Sequence, residues 1–416
     1  MCTYAFYFQN IDVGGCELLI EKLAKALSTS SKVYICCQFI TDDMKNRFYK
    51  SNIEIQLFKH WNYGSEFADW AIQIRKNLYE IAFLWDDYIF LYNKRKFKSK
   101  TVFYNVHYKT LSMGSEYKVG ILQNLVKKTC FELIRQYSAE NRILATDEQT
   151  VKYSNDYYQE LLKSNNLNIP ILRIPLDIIE IDDNLLRRKS AMKELNILSI
   201  ARADFPFKGY ILGLIDCVKK MNIGIIASLT IITYGQNVEL IYNKVQELNS
   251  DIRDKIHLVG KTDYDELQKY MLESNLYIGM GTTLLDASVR GIISIPVKSY
   301  TYELISDHFF YDDIFQVTAD QCSVNRIEQL MLQVSKMSPN EYYTISKSTI
   351  KKIEDTYGSS IIASQLEDIF SQLGFNSPSF KSRINDFIMN TLKRIVKQKG
   401  ILESIKKENK KHEHNA

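Results

Sequence analysis

The second half of the chain repeats one unit, a short apolar run, then a loop, then a helical pattern, and this alternation restricts the fold more than any other feature. Asn196–Ala201, Leu229–Thr233, Ile256–Gly260, Leu276–Ile278 and Ile292–Val297 are short and apolar, and between them apolar residues recur at helical spacing. Runs of this kind predict strands buried on both faces, hence a parallel sheet covered by helices. Leu276-Tyr277-Ile278 enters a turn of small residues, Gly279-Met280-Gly281-Thr282-Thr283, and then a helix that ends near Gly291. Such a turn leaves backbone N–H groups free at the positive end of a helix, where a phosphate can sit. Gly279 and Gly281 lack a Cβ and would let a ligand approach the backbone. Thr283 and Asp286, three apart, also fit an ordinary helix cap, and taken alone the stretch favours that plainer reading.

The first half follows the same plan with less regularity. Thr3 to Phe8 reads as a strand, Gly14-Gly15 as a strand-to-helix turn, and Cys16, Leu19, Ile20, Leu23, Ala24 and Leu27 as one helix face. The turn is a second candidate phosphate site. It is neither a P-loop nor a dinucleotide fingerprint, because the required spacings are missing, and a glycine pair there more often means tight packing. Val33–Phe39 and Glu54–Phe58 read as strands and the segment Trp70 to Leu78 as helical. Thr101–Val106 is a strand that delivers His107 at its carboxyl end, the edge at which parallel α/β sheets bind ligands. A helix from Val119 to Tyr137 and a strand Arg142–Thr146 follow, and the prolines keep Ile169–Asp177 extended.

The acid-rich segment Ile181–Lys189 marks a domain boundary at about residues 180–192. A chain of 416 residues is too long for one ordinary core. The expected architecture is α/β: two doubly wound Rossmann-like domains, 1–180 and 192–340, facing across a cleft with Gly14-Gly15 on one lip and Gly279 to Thr283 on the other. Helices over 341–373 are expected to return toward the first domain, and a basic amphipathic tail covers 378–416.

Hydrophobic residues at 45% and charged residues at 25% describe a soluble globular chain. No apolar run approaches the roughly 20 residues a bilayer requires, and the start Met1-Cys2-Thr3-Tyr4 lacks a secretory signal's basic region. Seven cysteines in no metal-ligand spacing read as buried thiols in a reducing cytoplasm, with no metal site. From Phe380 onward ten Lys or Arg face four Asp or Glu, a net +6, so the overall charge of +4 leaves the remainder at −2. The folded part therefore carries no basic excess for nucleic acid. In the tail, Phe380, Ile384, Phe387, Ile388, Leu392, Ile395 and Val396 recur at three and four. That pattern suits a helix resting on an anionic membrane surface through residues 380–411, and equally a terminal helix with a solvated end. The run Asn93–Lys100 reads as a solvated surface, with anionic lipid or an acidic substrate as the alternative.

Taken in order, these pieces resemble the retaining glycosyltransferases of family 4, which have the two-Rossmann-domain GT-B fold. Gly14-Gly15-Cys16-Glu17 is similar to the family's Gly-Gly-x-Glu. Ala201-Arg202-Ala203-Asp204-Phe205-Pro206-Phe207-Lys208-Gly209 is similar to the Arg-loop-Lys-Gly segment that opens the second domain, and Gly279-Met280-Gly281 through Asp286 to the Gly-x-Gly turn with its acidic residue. The resemblance covers about residues 4–370. Two departures stand out: the first acidic position of the family's pair falls on Ile278, and the second is Asp286 where Glu is usual.

The resemblance implies transfer of a sugar, with retention, from a nucleotide-diphosphate donor of the UDP or GDP type to a glycan or lipid-linked acceptor in bacterial surface polysaccharide synthesis. The cytoplasm, or the inner face of the membrane, is the expected location, and no cofactor or metal is expected. Arg202 and Lys208 would neutralise the departing diphosphate, a role that fits the charge developing in the transition state. His107 would orient the transferred sugar and Asp286 would take the ribose hydroxyls. Gly14, Gly15, Glu17, Gly235, Gly260, Gly279, Met280, Gly281, Thr282 and Thr283 would complete the donor site. Two other readings stay open: a sugar-nucleotide epimerase on the same architecture, and a non-catalytic partner subunit, for which Ile278 is the argument.

Overall fold

A computed structural model of the protein describes residues 2–12, 14–61, 70, 78–94, 99–106, 110–111, 120–162, 166–221, 223–379, 383–385, 388 and 391. The chain divides into two units, Met1–Pro175 with Ser359–Ala416, and Leu176–Gly358.

In the first unit, β1 (Thr3–Tyr7), β2 (Lys32–Cys37), β3 (Glu54–Leu57), β4 (Leu78–Ala82), β5 (Ser99–Asn105) and β6 (Ile143–Ala145) form a parallel sheet in the order β3-β2-β1-β4-β5-β6. All five residues of β1 are buried, as a strand covered on both faces requires. Helix α1 (Gly15–Ser28) buries Leu19, Ile20, Leu23, Ala24 and Leu27, the face that its periodicity predicts. Strand β4 departs from the sequence expectation, since Leu78 opens a strand instead of closing a helix. Its central residue explains why: Glu80 interrupts the apolar run, yet it is fully buried, with Tyr7 Oη (3.0 Å) and Thr101 Oγ1 (2.9 Å) donating to its carboxylate.

In the second unit, β7 (Leu195–Ile200), β8 (Ile226–Ile232), β9 (Ile256–Val259), β10 (Leu276–Gly279) and β11 (Ile293–Pro296) form a parallel sheet in the order β9-β8-β7-β10-β11. The chain steps outward from β7 to β9 and then crosses to β10 on the other side. That reversal leaves a crevice between the carboxyl ends of β7 and β10, where open α/β sheets bind ligands.

The acid-rich segment expected to mark the domain boundary is helix α2 (Asp183–Ser190) of this unit. Asp182 caps it, accepting from Asn184 N at 3.0 Å. Lys189 is fully buried and donates to the carbonyls of Met271 and Ser274, the latter at 2.7 Å, while burial pushes its amine down to about 7. The division between the units therefore falls earlier, after Pro175, where Leu176 N bonds to the Tyr357 carbonyl at 2.7 Å.

Helices α3 (Tyr210–Lys220) and α4 (Thr282–Ser288) follow β7 and β10. Helix α5 (Pro339–Tyr357) also belongs to the second unit, fastened by the Tyr342 hydroxyl to the Asn275 carbonyl at 2.7 Å. Of the helical stretch predicted over 341–373, only α6 (Ser359–Gln372) joins the first unit. It lays Ile362, Ala363, Leu366 and Phe370 into the cluster that α1 fills, and Phe370 stacks on Tyr79 at 4.8 Å. Beyond it Gly374–Asn376 is latched to the sheet. Asn376 N bonds to Ser99 O at 2.8 Å, and buried Arg142 donates to Asn376 Oδ1, Gly374 O and Phe375 O.

Five of the seven thiols are buried, Cys2 and Cys16 are half-buried, and none forms a disulfide. Among the described residues, no helix is long and apolar enough to cross a membrane.

Candidate functional site

Because its five strands run parallel, the second unit sends its loops out at one edge. Arg202 follows β7, Gly235 follows β8, Gly260 follows β9, and Met280, Gly281 and Thr282 follow β10. The first two loops interlock: Ala203 N donates to Tyr234 O at 2.7 Å and Asn237 Nδ2 to Ala203 O at 3.0 Å. Gly235 has φ +119° and a Cβ there would stand 3.2 Å from Arg202 Cγ, so its conformation demands glycine and its smallness admits the arginine. Gly260 is exposed, with open space where a Cβ would be.

Arg202 is exposed and its Nε donates to Asp204 Oδ2 at 2.5 Å. Asp204 N in turn donates to Arg202 O at 2.7 Å, and Lys208 N to Asp204 O at 2.7 Å, so the loop is closed tightly on itself. Lys208 Nζ lies over the Phe207 ring, 4.8 Å from its centroid. Burial pushes this amine down to about 7 against the pull of Asp320 and Asp204, and Arg202 pushes it further the same way. The two cations thus share one electrostatic environment.

Around the turn after β10, each glycine has its own reason. A Cβ on Gly279 would lie 2.6 Å from Tyr277 Oη, so this glycine makes room for a buried tyrosine. Gly281 has φ +71°, caps α4 without a side-chain bond, donates its N–H to Val317 O at 2.9 Å, and has open space where a Cβ would be. Met280 is buried; Thr282 is half-buried at the first position of α4. The cap pairing of Thr283 with Asp286 does not form. Thr283 Oγ1 lies 2.6 Å from Tyr277 Oη and 3.3 Å from Ile200 O, tying the start of α4 to the end of β7. Asp286 points inward: its carboxylate lies 3.8 Å from the Arg290 guanidinium, both groups are buried, and Arg290 also donates to the Asp286 carbonyl at 2.7 Å. Ile278 is fully buried in the core.

Gly14, Gly15 and Glu17 lie in the first unit. Gly14 caps α1 in extended conformation, and the Glu17 carboxylate folds back over it, with Oε2 2.5 Å from where a Cβ would be. Burial and the Glu17 charge push the Cys16 thiol up to about 12, which leaves it inert. His107 lies outside the described residues.

Two residues at this edge escaped the sequence reading. Asp204 stood inside the Arg-loop-Lys segment without an assigned role. Asp320, held by Ser299 N at 2.6 Å and by Thr318 Oγ1 at 3.3 Å, comes from an irregular stretch with no periodic signal.

Solved structures match this architecture along most of the chain. HepE from Anabaena, in complex with UDP, superposes with a TM-score of 0.61 at 12% identity, over 90% of this chain and 100% of that one. The fold is GT-B. A glycosyltransferase from Rickettsia africae gives 0.58 at 12% identity over 89% and 98% of the two chains. The lipopolysaccharide outer core galactosyltransferase WaaB gives 0.55 at 14%, over 89% and 100%. No protein-family model matches the chain, and no curated protein does.

Proposed function

We propose that the protein is a glycosyltransferase that moves a sugar from a nucleotide-diphosphate donor, of the UDP or GDP type, to a glycan or lipid-linked acceptor. One observation carries the reading: Arg202 and Lys208 leave the carboxyl end of β7 on a single loop at the switch point of the second sheet, and Thr283 ties the Gly281 turn to the end of the same strand. Breaking the bond from sugar to diphosphate builds negative charge on the leaving group. A guanidinium and a protonated amine placed there lower that barrier and supply this stabilisation without a divalent metal. HepE is similar in fold and was solved with UDP and with UDP-glucose, which supports a donor of this class. Retention of configuration, the orienting role of His107 and a place in bacterial surface polysaccharide synthesis belong to the same proposal. So does a cytoplasmic protein that meets anionic lipid through residues 380–411.

The test is kinetic. Donor hydrolysis screened across common nucleotide sugars identifies the substrate, and Arg202→Ala or Lys208→Ala then lowers turnover ~100-fold or more while circular dichroism stays unchanged. Full activity in both variants rejects the assignment.

A second reading, a non-catalytic GT-B subunit, is favoured by two observations. The side chain at the family's first acidic position, Ile278, is packed in the core, and the second, Asp286, is turned toward Arg290. Calorimetry with nucleoside diphosphates separates the two, since this reading expects no binding whichever base is used.

A further inference from the structure

The loop that carries Arg202 and Lys208 also carries an acid, Asp204. Arg202 and Lys208 are answered by Asp204 and Asp320, the two carboxylates that act on the Lys208 amine. A site built only to grip a diphosphate gains nothing from them. The two acids are held differently. Asp320 is fixed by a backbone N–H and a hydroxyl, whereas the Asp204 carboxylate is 38% exposed and its bond goes to Arg202 itself. The short backbone bond from Asp204 N to Arg202 O keeps the two residues on one tight turn, so the pair forms wherever the loop is folded.

Resting on the donor reading above, we propose that Asp204 is an internal anion that competes with the nucleotide diphosphate for Arg202 and so sets how readily the site releases the spent diphosphate. The geometry explains how both anions reach one side chain. Asp204 takes Nε, and no partner occupies Nη1 or Nη2 among the described residues. A guanidinium can present that remaining edge to a phosphate. The incoming diphosphate then shares the guanidinium with a like charge, which weakens its hold and leaves the carboxylate ready to close again on Arg202 when the diphosphate leaves. Asp204 is a positioning residue in this account, because it acts on the ligand through Arg202.

Calorimetry on the full chain tests it. UDP, GDP and ADP are titrated into wild type and Asp204→Asn, and the best base is repeated as the bare nucleoside. The neutral, nearly isosteric change is expected to tighten diphosphate binding about tenfold, the size of one like-charge contact in a partly screened site. It leaves nucleoside binding unchanged, because the nucleoside carries no phosphate. In an Arg202→Gln background the gain from Asp204→Asn falls to less than about twofold, as coupling between the two side chains requires. Equal or weaker diphosphate binding in Asp204→Asn, a matching gain for the nucleoside, or a gain that persists without Arg202 would each overturn the proposal while leaving the donor reading in place. Failure of both proteins to bind any nucleoside diphosphate overturns the donor reading, and this inference with it.

Discussion

The phenol of Tyr277 and the hydroxyl of Thr283 stand 2.6 Å apart, and each lies 3.3 Å from the carbonyl oxygen of Ile200. The bond joins the last turn of β10 to the helix that follows it and to the strand that delivers Arg202. The Thr283 hydroxyl, expected to complete the donor site, is engaged with the phenol and with the end of β7.

Removing that tie should loosen the edge. Thr283→Val costs ~1–2 kcal/mol in chemical denaturation, the price of leaving a buried phenol with one weak acceptor, whereas Thr283→Ser stays near wild type. Gly279→Ala costs more, roughly 2–3 kcal/mol, because its Cβ would fall on the buried tyrosine ring. If Gly279→Ala is neutral in stability and instead abolishes nucleotide binding, the glycine serves a ligand and not Tyr277.

Asp286 and Arg290 form a buried pair, so Asp286→Ala should act first on stability. Leaving the guanidinium buried without its carboxylate costs about 3–5 kcal/mol, a large fall in Tm by thermal scanning. Replacing both at once, Asp286→Leu with Arg290→Met, recovers most of the loss. An unchanged Tm with weaker nucleotide binding would place the Asp286 carboxylate on the ribose.

Lys208 makes binding sensitive to pH. Its amine is about 7 in the folded protein against 10.5 in the free side chain, so it is charged below about pH 7 and neutral above. A diphosphate favours the charged form, so affinity is greatest below about pH 7 and declines above it, and binding near pH 8 takes up a proton. Calorimetry in buffers of different ionisation enthalpy measures the uptake, and Lys208→Met abolishes it. The stability sign runs the other way. Here the unfolded chain binds the extra proton between about 7 and 10.5, so folding carries its full penalty below pH 7 and sheds it as pH rises. Lys208→Met should therefore stabilise the protein more at pH 6 than at pH 10.

The position of a truncation matters near the end of the chain. Ending at Leu373 removes Gly374–Asn376, three residues that accept from buried Arg142, and costs ~2–4 kcal/mol by denaturation. Ending at Ser379 preserves the latch. If the basic segment beyond it rests on anionic lipid, this shorter cut lowers sedimentation with phosphatidylglycerol liposomes and spares stability. Equal sedimentation by the two proteins would reject a membrane role for the tail.

Strands β7 to β11 were legible because a strand buried on both faces reads as an unbroken apolar run, whereas Arg202 and Lys208 were singled out by the resemblance of their segment to a family motif and not by any local pattern. Strand β4 was not. Glu80 breaks its pattern, and its burial is tolerable only because Tyr7 and Thr101, 73 and 21 residues away in the chain, donate to it. The acid-rich stretch before β7 looked like a domain boundary because its composition is polar, yet Lys189 finds two carbonyls more than 80 residues on and the segment folds as a helix.

By itself the sequence determined the order of strands and helices in the second unit and which residues leave the sheet at its carboxyl edge, since local periodicity encodes which faces are buried. Only the tertiary structure decided the partners: Asp204 and Asp320 against the two cations, Asp286 against Arg290, Thr283 against Tyr277, and the latch of Gly374–Asn376 on the first sheet. Charge balance and hydroxyl pairing depend on which distant side chains the packing brings within bonding distance, and no local pattern carries that information.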